Sequence, residues 1–116
     1  ELSGEISGEK SETIRQRVIR ARKIQTERFA KFSDHGRKIY SNADMDSREI
    51  RQFCTIDERS AELMKMAITK LGLSARAYDR ILKVARTIAD SAGTENIRPE
   101  HISEAIQYRS LDRSFI

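Results

Sequence analysis

The sequence predicts an all-α fold, a small helical bundle preceded by a long linker helix. Apolar residues recur at helical spacing in several separate segments of the chain. Residues that favour the beginning and the end of helices stand at the borders of those segments. No segment alternates polar and apolar residues with a period of two, so no strand is predicted. A length of 116 residues allows one domain.

The clearest predicted helix covers residues 74–92. Ser74 is a good N-cap, because its hydroxyl can accept a hydrogen bond from the free backbone N–H groups of the first turn. One apolar stripe is predicted to comprise Tyr78, Ile81, Leu82, Ala85, Ile88, Ala89 and Ala92. The other faces are predicted to carry Arg76, Arg80, Lys83 and Arg86. Gly93 and Asn96 follow the last apolar residue and end this helix.

Three further helices are predicted to complete the bundle, over residues 47–54, 57–71 and 99–108. The second of them ends where Gly72 can take the left-handed conformation of a C′ residue. The short step from Gly72 to the Ser74 cap predicts that this helix and the following one pack together as a hairpin. Pro99 suits the first position of the last helix, where a missing N–H leaves no hydrogen bond unmade.

The residues before the bundle are predicted to form a flexible lead-in, 1–10, then a linker helix and a loop, 11–44. The linker helix begins at Ser11, extends to about residue 32 and carries a narrow stripe of Ile14, Val18, Ala21, Gln25 and Phe29. A stripe this thin cannot fold alone, so the helix either packs across the bundle or connects it to another part of the protein. The bundle is assigned to 45–109, and 110–116 to a polar tail.

Basic residues concentrate on the linker helix. Seven of them stand between residues 12 and 32, namely Arg15, Arg17, Arg20, Arg22, Lys23, Arg28 and Lys31. Only Glu12 and Glu27 oppose them, and this local excess is larger than the net charge of the whole chain, +4. Such a face could follow phosphates, although most basic helix faces are only solvated. Arg15, Arg17 and Arg22 are therefore weak candidates for a nucleic-acid or subunit interface.

Several kinds of site are missing from the sequence. It contains no G-x-x-x-x-G-K-[ST] loop, no H-E-x-x-H and no C-x-x-C. His35 is interpreted as a surface loop residue, and His101 as a partly exposed helix residue, so no metal site is predicted. Cys54 lies beside apolar residues and is interpreted as a buried small hydrophobe. The chain is not expected to be a self-sufficient enzyme.

The same composition indicates a cytoplasmic protein with no membrane partner. No apolar run approaches the roughly 18 residues that cross a bilayer, and the first residues lack a signal-peptide pattern. A single cysteine cannot form an internal disulfide, which fits a reducing compartment.

Arg76 is the unusual cation of the sequence, because it lies in the first turn of the helix over 74–92. The helix dipole places partial positive charge at that end, so an arginine there costs about 0.3 kcal/mol. The position becomes favourable when an anion lies in front of both the helix end and the guanidinium. The alternative is a solvated surface arginine without a partner.

Four segments carry a resemblance to a known family: SGEKSETIRQRVIRARKIQTERF, REIRQFC, LGLSARAYDRILKVARTIAD and IRPEHISEAIQYR. They resemble the C-terminal region of magnesium-chelatase-related AAA+ proteins, and more narrowly the bacterial ComM (YifB) group. The resemblance extends from about residue 7 to 113 and is most specific over 72–90. It implies a linker helix and a helical lid of the AAA+ type, beside an ATPase core that carries the phosphate loop.

The resemblance also implies roles for two residues. Arg76, in S-A-R, falls on the sensor-2 position, where a guanidinium binds γ-phosphate oxygens and contributes to catalysis in the parent protein. Arg80, one turn on, is a weaker candidate for the same site. It is alternatively a partner for a salt bridge with Asp79, Glu58 or Glu62. In this branch of the family sensor 2 often acts on the nucleotide of a neighbouring subunit.

The resemblance implies ATP and Mg²⁺ as cofactors of the parent protein, with none expected on this part alone. The partners implied are the AAA+ core and the neighbouring subunits of a homo-oligomer, a hexamer, with DNA as the substrate of the motor. A second function of another class stays open: a freestanding helical nucleic-acid-binding or adaptor module with no ATP role. In that module the basic helix over 12–32 would supply the phosphate contacts.

Overall fold

The computed structural model describes the backbone of residues 2–30 and 38–114, and the side chains of 11–30 and 38–108. Within these residues the chain forms helices α1 (Leu2–Ala30), α2 (Ser47–Phe53), α3 (Glu58–Leu71), α4 (Ala75–Ala92) and α5 (Pro99–Ser114). A short 3-10 helix, Asn42–Asp44, lies between α1 and α2. The described part of the chain contains no strand, and the prediction of an all-α fold is confirmed.

The predicted boundaries of α3 and α4 are confirmed by their caps, whereas the last helix extends beyond its predicted end at residue 108. The Ser74 hydroxyl accepts a hydrogen bond from the N–H of Ala77 at 3.2 Å, and the Asp57 carboxylate accepts one from Ser60 at 2.8 Å. Gly72 and Gly93 follow α3 and α4 with φ of 59° and 74°. A left-handed φ is available to glycine without the strain that a Cβ brings. The sequence alone therefore fixes where α3 and α4 begin and end.

The core lies around α4, which packs on α5, on α1 and on α2. All four helices predicted to form the bundle contribute buried side chains, among them Ile50, Met64, Ile81, Ala85 and Ile102. The predicted α3–α4 hairpin is wrong, because the main helix contact of α3 is with α5. The Gly72 turn joins the ends of α3 and α4 but does not set the angle between their axes, and the apolar face of α3 meets α5 instead.

Both predicted ends of the chain differ from the structure. The predicted lead-in, 1–10, is helical from Leu2 onwards. A glycine costs a helix only about 1 kcal/mol relative to alanine, so the two Ser-Gly pairs do not end α1. The predicted tail, 110–116, is helical as far as Ser114, since no glycine or proline interrupts it. The predicted end of the linker helix near residue 32, and His35, lie outside the described residues.

Helix α1 has two unlike halves. Ala21, Gln25 and Phe29 are buried, and the Phe29 ring meets Phe53 of α2 edge to face at 5.4 Å. Every side chain from residue 11 to 20 is exposed, including Ile14 of the predicted stripe. The Arg20 side chain lies over Gly93, which ends α4, and beyond it Ile14 and Val18 line an open groove against α4 and α5 without packing closely on them. The predicted stripe therefore packs on the bundle only in its second half, and its first half stays open, which leaves the alternative of a connection to another part of the protein.

Candidate functional site

The amino end of α4 presents an arginine to solvent. Arg76 is the second residue of the helix and its side chain is exposed. The neutral hydroxyl of Ser74 caps this end, and the first turn contains no acidic residue. Among the described residues, nothing forms a hydrogen bond or an ion pair with the Arg76 guanidinium. Uncompensated helix N–H dipoles and a free guanidinium together favour an external anion.

Helix α3 shows the opposite arrangement at the equivalent place. Arg59 is the second residue of α3. In this helix, however, the N-cap is the carboxylate of Asp57, and the first residue is the acidic Glu58. The hydrogen bond from the Ser60 backbone N–H lowers the pKa of the Asp57 carboxyl below its ordinary value. That carboxylate is therefore ionised at neutral pH and offsets both the helix dipole and Arg59. The two helix ends have the same geometry and opposite electrostatics.

Arg80 is exposed one turn after Arg76. In the described part of the chain no ion pair joins it to Asp79, Glu58 or Glu62, so the predicted salt bridge is not formed. Asp79 is instead within 3.4 Å of the Ser47 hydroxyl of α2. The structure therefore leaves the Arg80 charge on the surface, on the same helix as Arg76.

At the other end of α4 lies a buried polar cluster, which we call the Asp90 clamp. Both oxygens of the fully buried Asp90 carboxylate accept from Arg28 of α1, at 2.6 and 2.8 Å. Arg86 donates from Nε at 3.2 Å, and Asn42 from Nδ2 at 2.9 Å. Bidentate, charge-assisted bonds of this kind are strong and have a defined geometry. The clamp fixes α1 to α4.

The clamp also includes Asn42, which begins the 3-10 helix before α2. The backbone N–H of Asn42 donates to Gln25 of α1, and the Asn42 side chain also donates to Thr87 of α4. Arg28 donates to the Asn42 side-chain oxygen at 2.9 Å. Every polar atom of the Asn42 side chain is thereby used inside the domain. Buried polar groups are stable only when satisfied in this way, so these hydrogen bonds hold α1, the 3-10 helix at Asn42 and α4 together.

Sequence reasoning missed the clamp and misplaced one of its side chains, Arg86. Arg86 was assigned to a solvent face but is buried, and it also donates to the carbonyl of Thr94 at 3.1 Å. Burial lowers the pKa of Arg86, although a guanidinium remains charged at neutral pH. The only signal available in the sequence was the spacing of Arg86 and Asp90, four residues apart on one helix. The longer-range partner, Arg28, leaves no such signal.

His101 was predicted to be partly exposed and is buried. Its Nδ1 accepts a hydrogen bond from the backbone N–H of Arg98 at 2.9 Å, just before α5 begins. The imidazole therefore satisfies a backbone donor at the helix start, a role that glutamate more often fills. In the described residues no cluster of histidine, cysteine or carboxylate side chains could hold a metal ion.

Arg15, Arg17 and Arg22 are all exposed, as a binding face requires. They do not form one face. Arg15 and Arg22 are seven residues apart and share one side of α1, whereas Arg17 lies on the other side, beside Val18 and facing α4. A phosphate track along α1 would therefore meet two of these arginines at most.

Cys54 is buried, as predicted, and burial raises the pKa of its thiol to about 11. We expect the native protein at pH 8 to react with iodoacetamide far more slowly than a small thiol does, since the thiolate is the reactive form. Mass spectrometry of a labelling time course measures this rate. The same chain in urea should react at the rate of an ordinary cysteine, and equal rates in the two states would contradict the burial of Cys54.

The fold and the site define a helical domain with an arginine at an anion-favouring helix end. The family described as the C-terminal part of magnesium chelatase subunit ChlI matches residues 8–109, and the chain belongs to this family. It is 43% identical over 111 residues to the uncharacterized protein YifB of Escherichia coli K12, and 42% identical over 106 residues to competence protein ComM of Haemophilus influenzae Rd. YifB of Salmonella typhimurium LT2 is 39% identical over 109 residues.

These matches cover 96%, 91% and 94% of this chain, and 20%, 19% and 20% of the respective relatives. The chain thus spans about a fifth of the length of the curated relatives that it matches. No helix in the described part of the chain is both long enough and apolar enough to cross a membrane.

Proposed function

We propose that this chain is the lid of a ComM-like, magnesium chelatase-related AAA+ ATPase, and that Arg76 is its sensor-2 arginine. The observation that carries the proposal is the amino end of α4. An exposed guanidinium stands there without a partner among the described residues, on a helix end whose own charge is uncompensated. The chain belongs to the family of the C-terminal part of magnesium chelatase subunit ChlI and spans about a fifth of its curated relatives, which supports the proposal that a longer protein carries the ATPase core.

In this proposal the chain's own groups bind and orient the terminal phosphate. The core of the parent protein holds ATP and Mg²⁺, which supply the phosphoryl group and neutralise part of its charge. Arg76 donates hydrogen bonds to γ-phosphate oxygens, and the N–H groups of the first turn of α4 add a favourable dipole. Arg80 is the second candidate for the same anion. A contact of this kind stabilises the charge that develops on the transferred phosphoryl group.

The Asp90 clamp gives the contact a mechanical consequence. Arg76 and Asp90 are about 20 Å apart along α4, and the clamp joins the far end of α4 to α1. When the γ-phosphate leaves, Arg76 loses its partner and α4 is free to move, and α1 moves with it because the clamp holds the two helices together. The position of α1 would then report the nucleotide state of the motor.

The proposal includes the assembly of the motor. Arg76 faces outward, away from the interior of its own domain, so the phosphate that it binds can belong to a neighbouring subunit. We therefore infer action in trans within a homo-oligomeric ring, a hexamer, in the cytoplasm. DNA is the substrate that we propose for the parent motor, since one relative is a competence protein. Measuring ATP hydrolysis by the parent protein with Arg76 replaced tests the assignment.

The second candidate function is a nucleic-acid-binding module without an ATP role. The observation that favours it is the exposure of Arg15, Arg17 and Arg22 on α1. The division of these residues weighs against it, because Arg17 lies towards α4, on the opposite side of α1 from a duplex that contacts Arg15 and Arg22. The lid remains the better supported function.

We expect the 116-residue chain to bind duplex DNA weakly, with a shallow dependence on salt. Charge reversal of Arg15, Arg17 and Arg22 together should change the slope of log K against log salt by about 2 or less, since at most two of these residues reach one duplex. Fluorescence anisotropy across a salt series measures the slope. A steep slope that the triple reversal abolishes would instead support the nucleic-acid module.

A further inference from the structure

The first described half of α1 is an exposed helix face with aliphatic side chains. Ile14, Val18 and Ile19 are 58%, 42% and 56% exposed, and the side chains of residues 11–20 are all on the surface. Single exposed aliphatic residues are ordinary, but Ile14 and Val18 lie one turn apart on the same side of α1, which is more typical of an interaction surface, whereas Ile19 lies on another side. The Asp90 clamp anchors the second half of α1, which holds this face at a fixed place on the domain.

Ile14 and Val18 form one wall of an open groove of about 670 Å³, which we call the α1 groove. Its opposite wall comes from α4 and α5, where it includes the half-buried Ile88 and the exposed Glu104. Arg17 lies at its border. Ile14 and Val18 are one helical turn apart, which is the spacing at which a second helix presents its own apolar stripe.

Charge and composition indicate what fits the α1 groove. Two arginines, Arg17 and Arg20, line the groove against one carboxylate, Glu104. Arg15, Arg22 and Lys23 lie on other sides of α1 and add positive charge nearby. Arginine outnumbers lysine here, as it does at protein interfaces, where aliphatic contacts and arginines occur together. A surface that binds only the phosphates of a nucleic acid makes its contacts through polar and charged groups and does not need the aliphatic side chains of Ile14 and Val18. The chemistry fits an acidic protein segment better than a nucleic acid.

We propose that the α1 groove binds an acidic, amphipathic α-helix supplied by a protein segment outside this chain. The aliphatic stripe of that helix packs on Ile14, Val18 and Ile88, and its flanking carboxylates face Arg17. This surface is on α1, at the clamped end of α4 rather than the Arg76 end. The inference therefore adds a partner to the proposed function and does not depend on nucleotide binding.

The test uses the 116-residue chain and two designed helical peptides of about five turns. Both carry one leucine stripe, flanked by glutamate in the first peptide and by lysine in the second. We expect the glutamate peptide to bind and to shift the amide NMR signals of residues 14–18, with the lysine peptide at least about tenfold weaker. Failure of the glutamate peptide to bind, or equal binding of both, would overturn the proposal.

Matched variants on the same helix locate the site. Ile14→Ser with Val18→Ser should weaken binding of the glutamate peptide by about tenfold or more, since both aliphatic contacts are lost. Ile19→Ser, at a residue equally exposed but outside the groove, should leave it unchanged. Arg17→Glu should weaken binding more than Arg15→Glu does. All five side chains are exposed, so circular dichroism should show unchanged folding.

Two other occupants give different results in the same series. A homodimer that Ile14→Ser with Val18→Ser abolishes, seen by sedimentation with no peptide present, would make a second copy the occupant and overturn the proposal. Duplex DNA that competes with the glutamate peptide, and still binds after the two serine substitutions, would overturn it in favour of a phosphate-binding face.

Discussion

ATP turnover by the parent protein should fall by about tenfold or more when Arg76 is replaced by alanine, the order expected for a lost phosphate-binding arginine. The side chain is exposed and has no partner among the described residues, so its removal leaves the bundle intact. Hydrolysis rates under saturating ATP, together with the melting temperature of the purified variant, measure the two effects separately. Binding of a non-hydrolysable ATP analogue should weaken while ADP binding stays unchanged, because only ATP carries the γ-phosphate.

The structure supplies a matched control for this substitution. Arg59 has the same exposed second position on α3 as Arg76 has on α4, but the carboxylates of Asp57 and Glu58 stand beside it. Arg59→Ala should therefore leave turnover unchanged. Full activity of a folded Arg76→Ala enzyme, or an equal loss in Arg59→Ala, would remove the sensor-2 assignment.

Mixed rings distinguish action in cis from action in trans. One subunit carries Arg76→Ala with an intact phosphate loop, and the other carries a disabled phosphate loop with an intact Arg76. Each homogeneous ring should be nearly inactive. If Arg76 acts on the nucleotide of the neighbouring subunit, the mixture regains activity. The active interfaces are those where the intact phosphate loop of one variant faces the intact Arg76 of the other. If it acts within its own subunit, no mixture regains activity.

The largest loss of stability should come from Asp90→Asn, at about 3 kcal/mol. The substitution keeps the shape of the side chain but removes its charge, and two guanidinium groups, Arg28 and Arg86, lose their carboxylate partner. A buried cation without a partner is costly, whereas an isosteric change of an exposed carboxylate is not. Urea unfolding of the 116-residue chain measures the difference as a shift of the midpoint at constant slope.

Glu104→Gln is the control for Asp90→Asn, since Glu104 is exposed, and its effect should stay within about 0.5 kcal/mol. A cycle that combines Asp90→Asn with Arg28→Met measures the coupling between the two helices. The double variant should be less unstable than the sum of the single changes, because the second change removes a charge that the first left unpaired. Strict additivity would show that Arg28 and Asp90 do not stabilise each other.

The local features of this protein follow from its sequence. The boundaries of α3 and α4 are determined by Asp57, Gly72, Ser74 and Gly93, because a cap hydrogen bond or a left-handed glycine depends on neighbours within a few residues. The placement of Arg76 in the first turn of α4 follows from the same spacing. The all-α fold follows from helical periodicity throughout the chain.

Only the tertiary structure decided which helices meet and which charges are buried. The apolar spacing of α1 is the same at Ile14 as at Phe29, yet Ile14 is exposed and Phe29 is buried, since α1 packs closely on the bundle only in its second half and leaves an open groove beside Ile14. Arg28 and Asp90 are 62 residues apart in the chain and 2.6 Å apart in space. Periodicity records which face of a helix is apolar, but partners distant in sequence are brought together only when the helices pack.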